Sequence, residues 1–523
     1  MESLNLALED IITECGGFGR FQYIVIGVAF LVKVSCAWSV LMMQFAGASP
    51  EWWCMWNTNT SHGYTGNESL QTLEVCKAPN NESLSGMCPS FSFSSGINTI
   101  VNEWELVCDK DWVSSTITTI QMAGMLVSGL LSGHLSDTFG RKLNFFLSLA
   151  FMMVGNFIAA VSVSWQMFAV VRFVIGFGAG QFLATLYIYM IEFIPKRHRS
   201  MIAALPTFPI FAALLALVSY LLKDWRHLHY LTAAITLPSF LGLFVIPESF
   251  RWLASRFKIK KAEKVVRKIA DMNGRPCPDM DRIRLALSTK NRLKERKYSI
   301  IDIFREKYLL KRTLLLWFCW ISCGFSYYGL AFGVGQLSGS LYINMFFLSA
   351  VEVPGTFSTW CLTNQFGRRW TALVLLLLSG VAGVATGTFQ NLDPESLPHH
   401  ATIVTILAIT AKLAISAAWT SVITITTELY PTVIRNISYG FFSAVSRVGA
   451  MVAPQIIFLS KTVPGLLYFV IGGTLLLSGI FVFLLPETKG RALEDHVKVE
   501  DSAEQMNLVE NDSEKKTQLT ESF

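Results

Sequence analysis

The chain has 523 residues, of which 52% are apolar and only 15% charged, against roughly 25% charged in soluble domains. That balance excludes a disordered, collagen-like or disulfide-scaffold protein and points to a membrane protein, leaving channel, receptor and transporter open. The formal net charge of +6 would suit a nucleic-acid partner if spread over a soluble surface, but one segment accounts for it.

A membrane-crossing helix needs roughly 20 mostly apolar residues. Runs of that kind fall at about 21–45, 112–134, 143–163, 166–191, 201–222 and 229–246. They resume at about 313–332, 340–362, 371–389, 401–427, 438–459 and 464–485, so about twelve spans are predicted. The chain then divides into a cytosolic N-terminus (1–20), a first bundle (21–249) with an external loop (46–111), a basic loop (250–311), a second bundle (312–489) and an acidic tail (490–523). The first apolar run follows no basic stretch and no small-residue cleavage site, so it is read as a retained span rather than a signal peptide.

Charge sets the orientation. Between residues 46 and 111 only Lys77 and Lys110 are basic, whereas residues 250–312 hold 20 Lys and Arg against 7 Asp and Glu. The positive-inside rule makes the second segment cytoplasmic and the first external, and an even number of spans puts both termini in the cytosol. Val265, Val266, Ile269 and Met272 stand at helical spacing among those basic residues, which predicts amphipathic helices on the cytoplasmic membrane surface. Attraction to anionic lipid explains the charge without nucleic acid.

The external loop carries Cys54, Cys76, Cys88 and Cys108, and its Asn59, Asn67 and Asn81 each open an Asn-X-Ser/Thr glycosylation sequon. Four cysteines in an oxidising compartment suggest two disulfides in one of three pairings. The other six cysteines, Cys15, Cys36, Cys277, Cys319, Cys323 and Cys361, are expected to stay reduced. Cys319 and Cys323 are one helical turn apart with no His or carboxylate beside them, so they read as core packing and no metal site is expected.

Short motifs recur in order in the second half. Phe139-Gly140-Arg141-Lys142 returns as Phe366-Gly367-Arg368-Arg369, 227 residues on, and Glu192-Phe-Ile-Pro195 with Arg199 returns as Glu428-Leu-Tyr-Pro431 with Arg435, 236 on. Pro247-Glu248-Ser249 returns as Pro486-Glu487-Thr488 after 239, and the intramembrane cation Arg172 is matched by Lys412 after 240. A parallel six-span repeat implies two bundles related by an axis along the membrane normal, with a cavity between them. Asp137, Arg141, Glu192 and Arg199 fall at the cytoplasmic ends of neighbouring spans, where ion pairs that form in one state and part in another bias a rocking equilibrium. The lesser alternative is that they only anchor helix ends and set topology. Asn364 takes the place of Asp137 in the second half, so that latch should be weaker.

Gly133-His-Leu-Ser-Asp137-Thr-Phe-Gly140-Arg141-Lys142 and Arg172 with Gly176, Gly178 and Gly180 resemble the signatures of major facilitator transporters. Asn102-Glu-Trp-Glu-Leu-Val-Cys108, Pro247-Glu-Ser-Phe-Arg-Trp-Leu253 and Glu428-Leu-Tyr-Pro-Thr432 narrow the resemblance to the organic cation, organic anion and zwitterion/carnitine transporters (solute carrier family 22), nearest to the zwitterion-transporting members. The resemblance runs from about Gly16 to Gly490. It implies an all-α membrane protein of two six-helix bundles working by alternating access. Gly176 and Gly180 lie inside an apolar span, so a dinucleotide loop fails its context, and close helix approach explains them. No phosphate-binding Gly-rich loop occurs, so neither ATP-driven pumping nor an enzyme is expected.

Ionisable groups at mid-bilayer cost about 2.5–3.5 kcal/mol on insertion scales, so each marks a functional position. They are Lys33, Arg172, Glu352, Lys412 and Arg447. Lys33 either contacts substrate or pairs with a carboxylate such as Glu352, which precedes Pro354 in a helix loosened by that proline. Arg172 and Lys412, as repeat mates, are expected to stabilise the bundles. In the resembling family, members that prefer cations carry an acid at the position of Arg447, whereas anion and zwitterion carriers have Arg. A guanidinium there fits a carboxylate, although Arg447 could instead pack against Glu352 or Glu428. The same resemblance singles out Tyr187, Tyr327 and Tyr328, and with Trp419 they offer ring faces to an ammonium group. The substrate expected is a small organic ion, a carnitine-like zwitterion or organic cation first and an organic anion as the alternative, with a sugar porter or transport-inactive receptor behind. The coupling ion, sodium or proton, and the oligomeric state stay open, and the lipid bilayer of the plasma membrane is the other expected partner.

Overall fold

The structure is a computed structural model that describes residues 2–54, 64–65, 76, 88, 90–94, 96–195, 197–198, 206–279, 301–305, 307–393, 398–431 and 434–490. Among them are ten helices long and apolar enough to cross a membrane. In the first half these include α1 (Arg20–Leu41), α2 (Trp112–Phe139), α3 (Arg141–Ala160) and α4 (Trp165–Ile191). The fifth span is the shorter α5 (Thr207–Leu222), and the sixth opens with α6 (Trp225–Thr236), passing into a 3₁₀ turn that contains Pro238. The second half has α7 (Lys307–Phe332), α8 (Leu341–Ala350), α9 (Glu352–Phe366), α10 (Arg368–Gln390), α11 (His400–Leu429), α12 (Arg435–Leu459) and α13 (Leu466–Phe483). The expected span at 340–362 is thus two helices, interrupted at Val351. Pro354 lacks the N–H that would tie Ala350 into one continuous ladder. Leu130, Val170, Leu221 and Phe244 are among many exposed apolar side chains around the bundles, a surface that suits lipid and not water.

Glycine sets how closely the helices pack. A Cβ on Gly176 of α4 would collide with the Gln121 carbonyl of α2, and one on Gly449 of α12 would collide with the Ile321 carbonyl of α7. Both halves therefore rest on a backbone-to-backbone contact that no larger residue allows.

The sequence repeat is also a repeat in space. Gly140 and Gly367 adopt φ of 105° and 94° and open α3 and α10. Glu248 accepts the backbone N–H groups of Arg141 and Lys142 at 3.0 Å each. Glu487 accepts those of Arg368 and Arg369 at 3.0 and 3.1 Å. In each half a carboxylate thus sits at a helix N-terminus, where the orphan donors and the dipole favour it.

The external loop folds on a three-stranded antiparallel sheet in which Trp52–Cys54 is central, with Tyr64–Thr65 and Phe91–Phe93 on its two sides. The disulfides are Cys54–Cys88 and Cys76–Cys108, one of the three pairings left open above. By the charge rule this face is termed outer and the opposite one inner. Asn59, Asn67 and Asn81 lie outside the described residues.

One expectation is corrected in the basic loop. Its helix Ile259–Met272 turns Val265, Val266 and Ile269 inward onto the chain itself. The N-terminal helix Glu2–Glu14 buries Leu8, Ile11 and Ile12 in the same core, and the Cys15 thiol reaches the Val266 carbonyl. Asn273 locks the junction by accepting from the Phe21 N–H at 3.0 Å and donating to the Cys15 carbonyl at 2.9 Å. The apolar face is therefore covered by protein rather than lipid, with the preceding helix Phe250–Ser255 packed against Ile259–Met272 and the N-terminal segment meeting it at Cys15. Burial, with Cys277 and Glu14 adding to it, pushes the Cys15 thiol up to about 12, so it stays protonated.

Candidate functional site

At the inner helix ends each bundle carries a charge cluster. Arg141 pairs with Asp137 at 2.8 Å and Glu192 at 3.3 Å, and donates to the Ser136 hydroxyl at 2.8 Å. Burial pushes the Glu192 carboxyl up and the Arg141 charge offsets only part of that rise. In the second half Arg368 pairs with Glu428 at 3.3 Å, and Glu428 also accepts from the Thr488 hydroxyl at 2.5 Å. Arg435 is the first residue of α12. Arg199 lies outside the described residues. Each of these pairs joins helices within one bundle.

Between the bundles lies a small cavity, with Leu41, Phe208 and Ala212 on the first-half wall and Tyr327, Glu352 and Lys412 on the second-half wall. Arg447 is on α12, outside that lining, where Gly449 and Gly324 let α12 and α7 touch backbone to backbone. Its guanidinium donates to the Tyr328 hydroxyl and lies 5.5 Å from that ring's centroid. Lys33 donates to the Thr207 hydroxyl at 2.8 Å. Arg447 and Lys33 thus stand on opposite bundles, each bound to a hydroxyl. Among the described residues neither has a carboxylate within ion-pair distance. The Lys33–Glu352, Arg447–Glu352 and Arg447–Glu428 pairings considered from sequence are not formed.

Glu352 instead pairs with Lys412 at 2.9 Å and accepts from the Tyr327 hydroxyl at 2.9 Å. Lys412 thus neutralises a carboxylate inside its own bundle and also lines the cavity. Its repeat mate Arg172 is fully buried and donates to the Gln121 side chain of α2, away from the cavity wall. Trp419 packs edge-on against Tyr327 and Trp320, supporting the tyrosine. Tyr187 sits one turn from the inner end of α4 and outside the cavity lining, while Tyr439 of α12 packs edge-on against Trp320. Tyr439 was not anticipated from the sequence. It lies eight residues before Arg447, with Ser443 midway, and this i, i+4, i+8 spacing was the available sign.

Residues 54–499 match the model of the "Sugar (and other) transporter" family. Mouse organic cation/carnitine transporter 2 is 32% identical over 77% of this chain and 71% of its own length. Organic anion transporter 3 of Pongo abelii is 30% identical over 94% and 93%. The chain belongs to this transporter family, in its solute carrier family 22 branch. The fold is that of the major facilitator superfamily: the proton:xylose symporter XylE bound to 6-bromo-6-deoxy-D-glucose superposes with a TM-score of 0.60 at 16% identity, covering 91% of this chain and 98% of XylE.

In this carrier the bundles are tied together towards the outer side. Lys461 pairs with Asp111 at 2.6 Å, and the Thr119 hydroxyl donates to the Met451 carbonyl at 3.1 Å while accepting from Gln455 at 3.0 Å. Tyr342 of α8 stacks on Phe45 and meets Tyr220 edge-on. Each of these contacts crosses from one half of the carrier to the other, closing its outer side over the cavity.

Proposed function

We propose that this carrier moves small organic ions bearing a carboxylate across the plasma membrane by alternating access, with Arg447 and Lys33 receiving the carboxylate. The observation behind this reading is that, among the described residues, these two cations have no acidic partner, while Glu352 is already neutralised by Lys412. A neutral sugar gains nothing from two such charges, whereas a planar guanidinium fork matches a carboxylate. A carnitine-like zwitterion is the second reading, favoured by Glu352 and the Tyr327 ring beside the cavity. Its ammonium would have to compete with Lys412 for them.

Uptake of p-aminohippurate, carnitine and tetraethylammonium, with and without sodium, tests substrate class and coupling ion together. Trans-stimulated, saturable flux separates a carrier from a receptor, which binds without net transport. Arg447→Asp should lower carboxylate uptake roughly 10- to 100-fold, the loss of a charge-assisted hydrogen bond, and shift preference towards cations. An unchanged preference at normal surface abundance would sink the role given to Arg447.

A further inference from the structure

The cavity wall already holds a cation in a built seat. Lys412 Nζ lies 2.9 Å from Glu352 Oε1, 3.2 Å from the Tyr327 carbonyl oxygen and 3.5 Å from the centroid of the Tyr327 ring. A carboxylate, a carbonyl and an aromatic face are the groups that recognise an ammonium ion. They are positioned independently of Lys412: Tyr327 on α7 donates its hydroxyl to the other oxygen of Glu352, at the break between α8 and α9. Lys412 itself is 2% exposed, so its charge does not snorkel to water. All three residues border the cavity between the bundles.

We propose that Lys412 is the resident occupant of a cation seat formed by Glu352 and Tyr327, and that it sets specificity by excluding substrates whose only charge is an ammonium. The inference rests on reading this cavity as the transport cavity. A tethered ammonium competes at high effective concentration with any free one. With it in place the carboxylate is already neutralised and attracts nothing further. Without it, a carboxylate and a ring face are left without their cation and stand open to a free alkylammonium ion.

The test measures uptake of tetraethylammonium and p-aminohippurate in cells expressing wild type, Lys412→Met, Lys412→Arg and Lys412→Met/Glu352→Gln, each normalised to surface protein. Wild type and Lys412→Arg should exclude tetraethylammonium. Lys412→Met should raise its uptake about tenfold or more, and adding Glu352→Gln should abolish the gain. A surface-expressed Lys412→Met without that gain overturns the proposal, as does a gain that survives Glu352→Gln. If Lys412→Met fails to reach the surface, thermal stability of the purified wild-type carrier decides. Tetraethylammonium should leave its Tm unchanged, and a concentration-dependent rise overturns the proposal. Absence of p-aminohippurate uptake by wild type would count against the carboxylate reading alone, since the tetraethylammonium comparison does not depend on it.

Discussion

Glu248 and Glu487 show how much one residue does at a helix start. Burial pushes the Glu487 carboxyl up, but the backbone N–H groups of Lys489, Arg368, Thr488 and Arg369 outweigh it and hold the group below its ordinary value. A carboxylate whose folded value is depressed contributes stability above its unfolded value, and that contribution is lost as pH falls through the folded one. Glu487→Gln should therefore lower the Tm of the purified carrier modestly at pH 7, by the equivalent of about 0.5 kcal/mol for an exposed helix terminus. The deficit should shrink towards zero below about pH 4, and a deficit independent of pH would refute the charge assignment. The Pro-Glu-Ser and Pro-Glu-Thr motifs were visible in the sequence as repeats, yet their task was not, because the acceptor and the helix it caps are more than 100 residues apart. For the same reason Tyr328 could not be foreseen as the partner of Arg447.

At the level of elements, apolar run length and charge spacing are local properties and predicted most helices to within a few residues. They failed where a helix answers to its neighbours. The span around Glu352 breaks at Val351, and the helix Ile259–Met272 turns its apolar face onto the protein rather than onto lipid. The inner charge clusters join α2, α3 and α4 of one bundle, and Asp137 stays 62% exposed. An ion pair that open is worth only about 0–1 kcal/mol of stability. Asp137→Asn should accordingly leave surface abundance near normal while lowering turnover, if the cluster must regroup as the bundles rock. Uptake equal to wild type would reduce the cluster to a helix-end anchor.

For the whole molecule, contacts from Asp111, Thr119, Phe45 and Tyr220 to the second bundle close the outer side. Alternating access requires them to part. Cysteines placed at Asp111 and Lys461 and joined by a short bifunctional thiol reagent should bring uptake to background, whereas each single-cysteine variant given the same reagent should keep it. Uptake that persists after demonstrated cross-linking would mean that this end does not open. The basic loop, the two-bundle repeat and the family were legible in the chain alone, since hydropathy, charge bias and motif order are written along one dimension. The disulfide pairing, the turn of Lys33 to Thr207, the capture of Glu352 by Lys412 and the cover over Ile259–Met272 were decided only by the packed structure. Which side chains meet depends on the rotation and height of each helix against its neighbours. Those are set by contacts such as Gly176 on Gln121 and Gly449 on Ile321, between segments far apart in the chain.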